Sequence, residues 1–164
     1  MNVLIAVDDK EFADCIADFV TSQEWPPHTN FVVLHVIEPL QPIITTLPAP
    51  VAQMIAEDRK KYGEQVVRSV VMKIVDAFKT EHITEAVVEG HPKEKIMEWS
   101  QKTDADMIVV GAHNKSLIDR LMLGSVSLAI GSRAQCSVAI VRPKIKTEAN
   151  ATSTTASERA LATK

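Results

Sequence analysis

The residues best suited to chemistry in this chain are ones that hold an anion rather than break a bond. Gly111 directly follows a continuous apolar run, Met107 to Val110, and further on Gly124, Ser125 and Ser127 open a helical pattern. A glycine at a strand end allows a sharp turn and a close backbone approach to a ligand. Free N–H groups and the positive end of a helix dipole at residues 124–127 favour a phosphate or another anion. Ser125 and Ser127 read as capping or phosphate-contacting hydroxyls. Between the glycines, His113 and the nearby Lys115 are either phosphate contacts or two solvated loop residues, with about equal weight.

Neither of the two familiar phosphate motifs is present. The P-loop places Lys and then Ser or Thr after its second glycine, whereas Gly124 is followed by Ser125 and Val126. The dinucleotide fingerprint needs closely spaced glycines in the first strand-to-helix turn, which here reads VDDKEF. In that turn, Asp8 and Asp9 either accept hydrogen bonds from an adenine amino group or a ribose, or cap the first helix; a cap accounts for one of the two. His35, inside the apolar FVVLHVI, reads as a buried histidine satisfied by hydrogen bonds rather than a metal ligand, and His28, His82 and His91 lack ligand spacing. No G-x-S-x-G elbow occurs, and neither Cys15 nor Cys136 has a basic residue beside it, so no activated nucleophile is visible.

These residues need a scaffold, and the hydrophobic periodicity supplies one. Val3 to Val7 reads as a strand, and Phe12, Cys15, Ile16, Phe19 and Val20 recur at helical spacing until Trp25, Pro26 and Pro27 close the helix. Phe31 to Ile37 is a second strand, stopped by Glu38 and Pro39. Residues 39–50 carry four prolines and no charge, which predicts a loop with a partly pre-set extended backbone, long enough to cover a site. A long helix follows, its stripe made of Val51, Ile55, Tyr62, Val66, Val70, Ile74 and Phe78 and widened by Val67, Val71 and Val75, as suits packing against a sheet. Ala86 to Val88 predicts a third strand ending at Glu89 and Gly90. Pro92 opens a helix containing Ile96, Met97 and Trp99; Met107 to Val110 and Ser137 to Val141 complete the strands. Regular alternation of strands and helices predicts a parallel α/β sheet with helices on both faces. In such sheets ligands bind beyond the carboxyl ends of the strands, where Asp8, Val36, Glu38, Gly90 and Gly111 lie.

Composition narrows the class. With 164 residues, 46% of them hydrophobic and 24% charged, the chain suits one soluble globular domain, residues 1–143, followed by an Ala/Ser/Thr-rich flexible tail, residues 144–164. A net charge of −3 gives no electrostatic reason to expect nucleic acid or an anionic membrane as partner. No apolar segment is long enough to span a bilayer or to serve as a signal-peptide core, and the cysteines lie in apolar stretches without a C-x-x-C, so a cytoplasmic setting with reduced thiols is expected.

Several blocks, VLIAVD, LHVIEP, VEGHPKEKIMEWSQKTDADMIVVGAH and LMLGSVSLAIGSRAQCSVAIVRP, resemble the universal stress protein family over about residues 1 to 143. The resemblance implies one open five-stranded parallel sheet of order 3-2-1-4-5, Rossmann-like and akin to the adenine nucleotide alpha hydrolases. It also implies homodimers paired through the last strand, Ser137 to Val141, and ATP as ligand with Mg2+ as its companion. The family's ATP pattern is glycine, two residues, glycine, nine residues, glycine, then Ser or Thr. Here the pattern is Gly111, Ala112 and His113, Asn114, nine residues, then Gly124 and Ser125. Asn114 stands where the family has its second glycine; Asn is the best-tolerated substitute in a left-handed conformation, and its amide can donate to a phosphate oxygen. The nucleotide-binding set so implied is Ala6, Asp8, Val36, Val110, Gly111, His113, Asn114, Gly124, Ser125 and Val126. Asp8, Val36 and Val110 fall toward adenine and ribose; Gly111, His113, Gly124, Ser125 and Val126 fall toward the phosphates. The expected function is a nucleotide-responsive dimeric stress or signalling protein, not a dedicated enzyme, with slow ATP hydrolysis a third possibility. The alternative is a dimeric protein-interaction module of the same fold that binds no nucleotide.

Overall fold

A computed structural model of the chain describes residues 1–39, 47–112 and 123–143. The elements run β1 (Asn2–Val7), α1 (Lys10–Thr21), β2 (Asn30–Ile37), α2 (Ala49–Phe78), β3 (Ile83–Glu89), α3 (Pro92–Lys102), β4 (Met107–Gly111), α4 (Ser125–Arg133) and β5 (Ser137–Val141). All strand pairings are parallel, and the sheet order is β3-β2-β1-β4-β5, as expected. The central strands are apolar along nearly all of their length because both faces are covered, with Asn2, Asn30 and His35 the polar exceptions in β1 and β2. Val3, Ile5, Val7, Phe31, Val33 and Val109 face one layer with residues of α1 and α2. Leu4, Ala6, Val32, Leu34, Ile108 and Val110 face the other with Ile96 of α3 and Ile130 of α4. Connections from β1 lead one way across the sheet and those from β4 the other, so a crevice opens between the carboxyl ends of β1 and β4.

The expected three-residue third strand is longer. β3 lies at the sheet edge, where Thr84 and Glu85 face solvent, so hydropathy reveals only its middle. A larger difference concerns α2. Its 30 residues span roughly 45 Å at the rise of an α-helix, while the eight residues of β2 span only about 26 Å. The helix starts at the carboxyl side of the sheet, so its first half stands beyond the strand ends. Burial on the sheet begins at Gly63 and continues through Val66, Val67, Val70, Val71 and Ile74. Val51, Tyr62 and Val75, placed in the core stripe by periodicity, are 37%, 46% and 37% exposed. The prolines also end sooner than expected: Pro48 is the N-cap of α2, and Pro50 falls in its first turn, where a missing N–H removes no hydrogen bond. Residues 40–46 of the expected covering loop lie outside the described residues. Lys73 of α2 reaches Asp14 and Asp18 of α1 at 3.1 and 3.0 Å, an exposed pairing that adds little to stability.

Candidate functional site

Because the sheet is parallel, the amino ends of α1, α3 and α4 all lie at its carboxyl edge, and there the strands enclose a cleft of about 790 Å3. That volume is ample for a nucleotide-sized ligand. Eight of the residues expected at a binding site line this one cleft: Ala6 and Asp8 from the end of β1, Val36 from β2, Val110 and Gly111 from β4, and Gly124, Ser125 and Val126 at the start of α4. His113 and Asn114 lie outside the described residues.

The acidic pair after β1 divides its work. Asp9 is the N-cap of α1, its Oδ1 accepting from the Phe12 N–H at 3.0 Å. Asp8 is exposed and faces the cleft. One carboxylate is therefore committed to the helix, and the other is presented to whatever enters.

At the β4 end the reasons for the sequence differ from the expected ones. Gly111 is not the pivot of a sharp turn: it is the last residue of β4, paired with Val141, and the Ala112 N–H continues the ladder to the Val141 carbonyl at 2.8 Å. A side chain there would crowd α1, since a Cβ at Gly111 would lie 3.1 Å from Phe12 Cδ1. Ser127 likewise neither caps α4 nor offers its proton to a ligand. It is 2% exposed, and its hydroxyl donates to the Gly111 carbonyl at 2.6 Å, fastening the first turn of α4 to the end of β4. The N-cap of α4 is Gly124, which supplies no side-chain acceptor, so among the described residues the first-turn N–H groups carry no side-chain cap. An uncapped helix start held rigidly beside a strand end is suited to an anion.

Four charged side chains line the cleft among the described residues: Asp8, Glu38, Asp58 and Arg59. His35 also lines it. The ring is 6% exposed, and Nδ1 lies 3.0 Å from the Val7 carbonyl, so Nδ1 must carry the proton and donate. Burial pushes its pKa below the ordinary 6.5, with Arg59 adding to the depression and the Val7 carbonyl and Asp8 opposing it. The imidazole is thus a neutral structural group at neutral pH, the satisfied buried histidine that its sequence context predicts. Among the described residues no cluster of three or more His, Cys, Asp or Glu is placed to hold a metal. Cys15 and Cys136 are free and half-buried, and burial raises both thiols above their ordinary value, which disfavours the reactive thiolate.

Asp58, Arg59 and Tyr62 of α2, Phe12 and Ile16 of α1, and Pro92 and Ile96 of α3 also line the cleft, and sequence reasoning did not place them there. One signal for the α2 residues was available. A helix much longer than its strands must overhang the strand ends, and the overhang begins on the side where ligands bind.

The family model described as the universal stress protein family matches residues 1–142. The chain belongs to that family. A universal stress protein of Methanothermobacter thermautotrophicus is 30% identical over 112 residues, covering 68% of this chain and 75% of that protein. Among solved structures, a universal stress protein UspA from Lactobacillus plantarum superposes with a TM-score of 0.67 at 20% identity, covering 87% of this chain and 97% of that one. A universal stress protein family member from Arabidopsis thaliana, solved with AMP bound, superposes with a TM-score of 0.63 at 15% identity, covering 88% and 93%. At these identities the structural likenesses establish the fold. Within the described part of this universal stress protein, no helix is long and apolar enough to cross a membrane.

Proposed function

We propose that this universal stress protein binds an adenine nucleotide in the cleft between β1 and β4, and that occupancy is a signal rather than the first step of a reaction. The observation that carries this reading is convergence. Residues from four separate segments, β1, β2, β4 and α4, meet around one cleft that is lined by the start of α4 and by the exposed Asp8 at the end of β1. Asp8, Val36 and Val110 would face adenine and ribose, and Gly111, Gly124, Ser125 and Val126 the phosphates. The AMP-bound Arabidopsis relative supports the choice of an adenine nucleotide. ATP accompanied by Mg2+ is the form we favour, with His113 and Asn114 completing the phosphate loop.

The protein would act in the cytoplasm as a homodimer, its signal passing to a protein partner. β5 is an edge strand whose residues Val138, Ala139 and Ile140 are only partly covered, and antiparallel pairing with a second copy would satisfy its open backbone groups. No catalytic step is assigned, since the Ser127 hydroxyl that borders the phosphate end is committed to Gly111. Asn114 in place of a glycine favours a second reading, a dimeric interaction module without nucleotide.

The deciding experiment is to denature freshly purified protein, identify released nucleotides by chromatography and mass spectrometry, and titrate the stripped protein with ATP and magnesium by calorimetry. The expected result is bound ATP or ADP and saturable rebinding that Gly124→Val abolishes. A protein that emerges empty and ignores millimolar ATP refutes the nucleotide reading. Light scattering at micromolar concentration should report a dimer, and a monomer there contradicts the β5 pairing.

A further inference from the structure

We propose that Arg59 and Tyr62, from the overhanging half of α2, form the outer wall of the base end of the cleft, with the Arg59 guanidinium lying on the π-face of the bound base. This inference rests on the nucleotide reading and specifies what closes one end of that site.

Placement is the first argument. α2 packs on β2 and β3, and at Gly63 it comes so close that a Cβ there would lie 2.5 Å from His35 of β2 and 3.2 Å from Val87 of β3. Arg59 is one helical turn nearer the amino end than Gly63, on the part of α2 that runs past the strands, and both Arg59 and Tyr62 line the cleft. They therefore stand over the end of β2, where Val36 is. Gly124 and Ser125 follow β4, two strand spacings away across β1, roughly 10 Å. An elongated ligand spanning the cleft meets α4 at one end and α2 at the other.

Chemistry is the second. Arg59 is half-buried and, among the described residues, makes no ion pair, although Asp8, Glu38 and Asp58 share the cleft. A planar, weakly hydrated guanidinium stacks readily on an aromatic face. The carboxylates of Asp8 and Glu38, at the ends of β1 and β2, suit the exocyclic amino group of an adenine, while Arg59 offers a flat cation above the ring. Tyr62 braces the arrangement. Its ring stands edge-on to His35, centroids 6.4 Å apart and planes at 77°, and the His35 ring is itself tied to the Val7 carbonyl.

The test compares adenosine, which has no phosphate, with AMP, each titrated by calorimetry into stripped wild type, Arg59→Ala, Arg59→Lys and Tyr62→Ala. The wall predicts that Arg59→Ala weakens both ligands by the same factor, roughly three- to thirtyfold. Arg59→Lys should recover only part of the loss, because an ammonium keeps the charge without the plane, and Tyr62→Ala should weaken both ligands as well. Melting curves of the Arg59 variants should overlay that of wild type, since Arg59 lies beyond the packed half of α2. Unchanged affinity of Arg59→Ala for both ligands overturns the inference. So does a loss confined to AMP, which would place the guanidinium on the phosphate. A wild-type protein that binds neither ligand fails differently, removing the nucleotide reading itself.

Discussion

Replacing Gly63 by Ala sets two opposed effects against each other. In a helix interior, Ala is favoured over Gly by about 1 kcal/mol, so helix propensity alone predicts stabilisation. The added methyl would sit 2.5 Å from His35 Cδ2 and 3.1 Å from its Nε2, and 3.2 Å from Val87 Cγ1. The His35 ring cannot swing freely, because doing so breaks its 3.0 Å hydrogen bond to the Val7 carbonyl. Losing that buried bond costs about 1–3 kcal/mol, and the other escape, moving α2 off the sheet, carries an overpacking cost of similar size. With the propensity gain subtracted, Gly63→Ala should destabilise by up to about 2 kcal/mol, lowering Tm by several degrees in a chain of this length. The informative assay is a double-mutant cycle by urea and thermal melts. In a His35→Ala background the space is vacated, and Gly63→Ala should become neutral or mildly stabilising there. Stabilisation in the wild-type background, or an identical penalty in both, would refute the argument that His35 is what requires the glycine.

Further outcomes follow from the other contacts. Ser127→Ala should lower stability by about 1–3 kcal/mol in urea melts, since it leaves the Gly111 carbonyl without its hydroxyl donor, and it should also loosen ligand binding by freeing the start of α4. Asp9→Ala should cost about 1 kcal/mol through loss of the α1 cap, whereas Asp8→Ala should leave the melt nearly unchanged and weaken nucleotide binding; the opposite pattern would exchange the roles given to the two carboxylates. His35 has a folded pKa below its unfolded 6.5, so the unfolded chain binds more protons below that value, and stability should fall as pH drops through about 6.5 toward the lower folded pKa. Melts across that range should show the decline in wild type and a flatter profile in His35→Gln.

Much of the fold was legible because parallel strands covered on both faces announce themselves as unbroken apolar runs, and the alternation with helices limits the topology to a few arrangements. The family blocks supplied the strand order. What escaped notice did so for physical reasons. β3 carries polar residues because it is an edge, so only its central residues looked like a strand. The apolar stripe of α2 continued through Val51 and Tyr62, yet periodicity records which residues share a face and not whether anything lies opposite that face. The cleft was legible where strand ends lead into it, through Asp8, Val36, Gly111 and Gly124. It was missed where α2 enters, since Arg59 and Tyr62 sit in mid-helix rather than at a strand end, and only the length of the helix pointed to them. Gly111 and Ser127 both border the cleft, but their contacts differ from those expected: a Cβ at Gly111 would crowd Phe12, and the serine joins strand to helix.

The split along α2 bears on how such a protein diverges. From Gly63 onward, a change on the sheet-facing side disturbs packing with β2, β3 and α1, so drift there is paid in folding. Residues 49–62 contribute no fully buried side chain. Substitutions at Asp58, Arg59 and Tyr62 in those outer turns should alter what the cleft meets while leaving the melting behaviour almost untouched. One helix would therefore separate two evolutionary pressures by position alone, and a lineage could change its ligand preference at Asp58, Arg59 and Tyr62 without first acquiring a more stable scaffold.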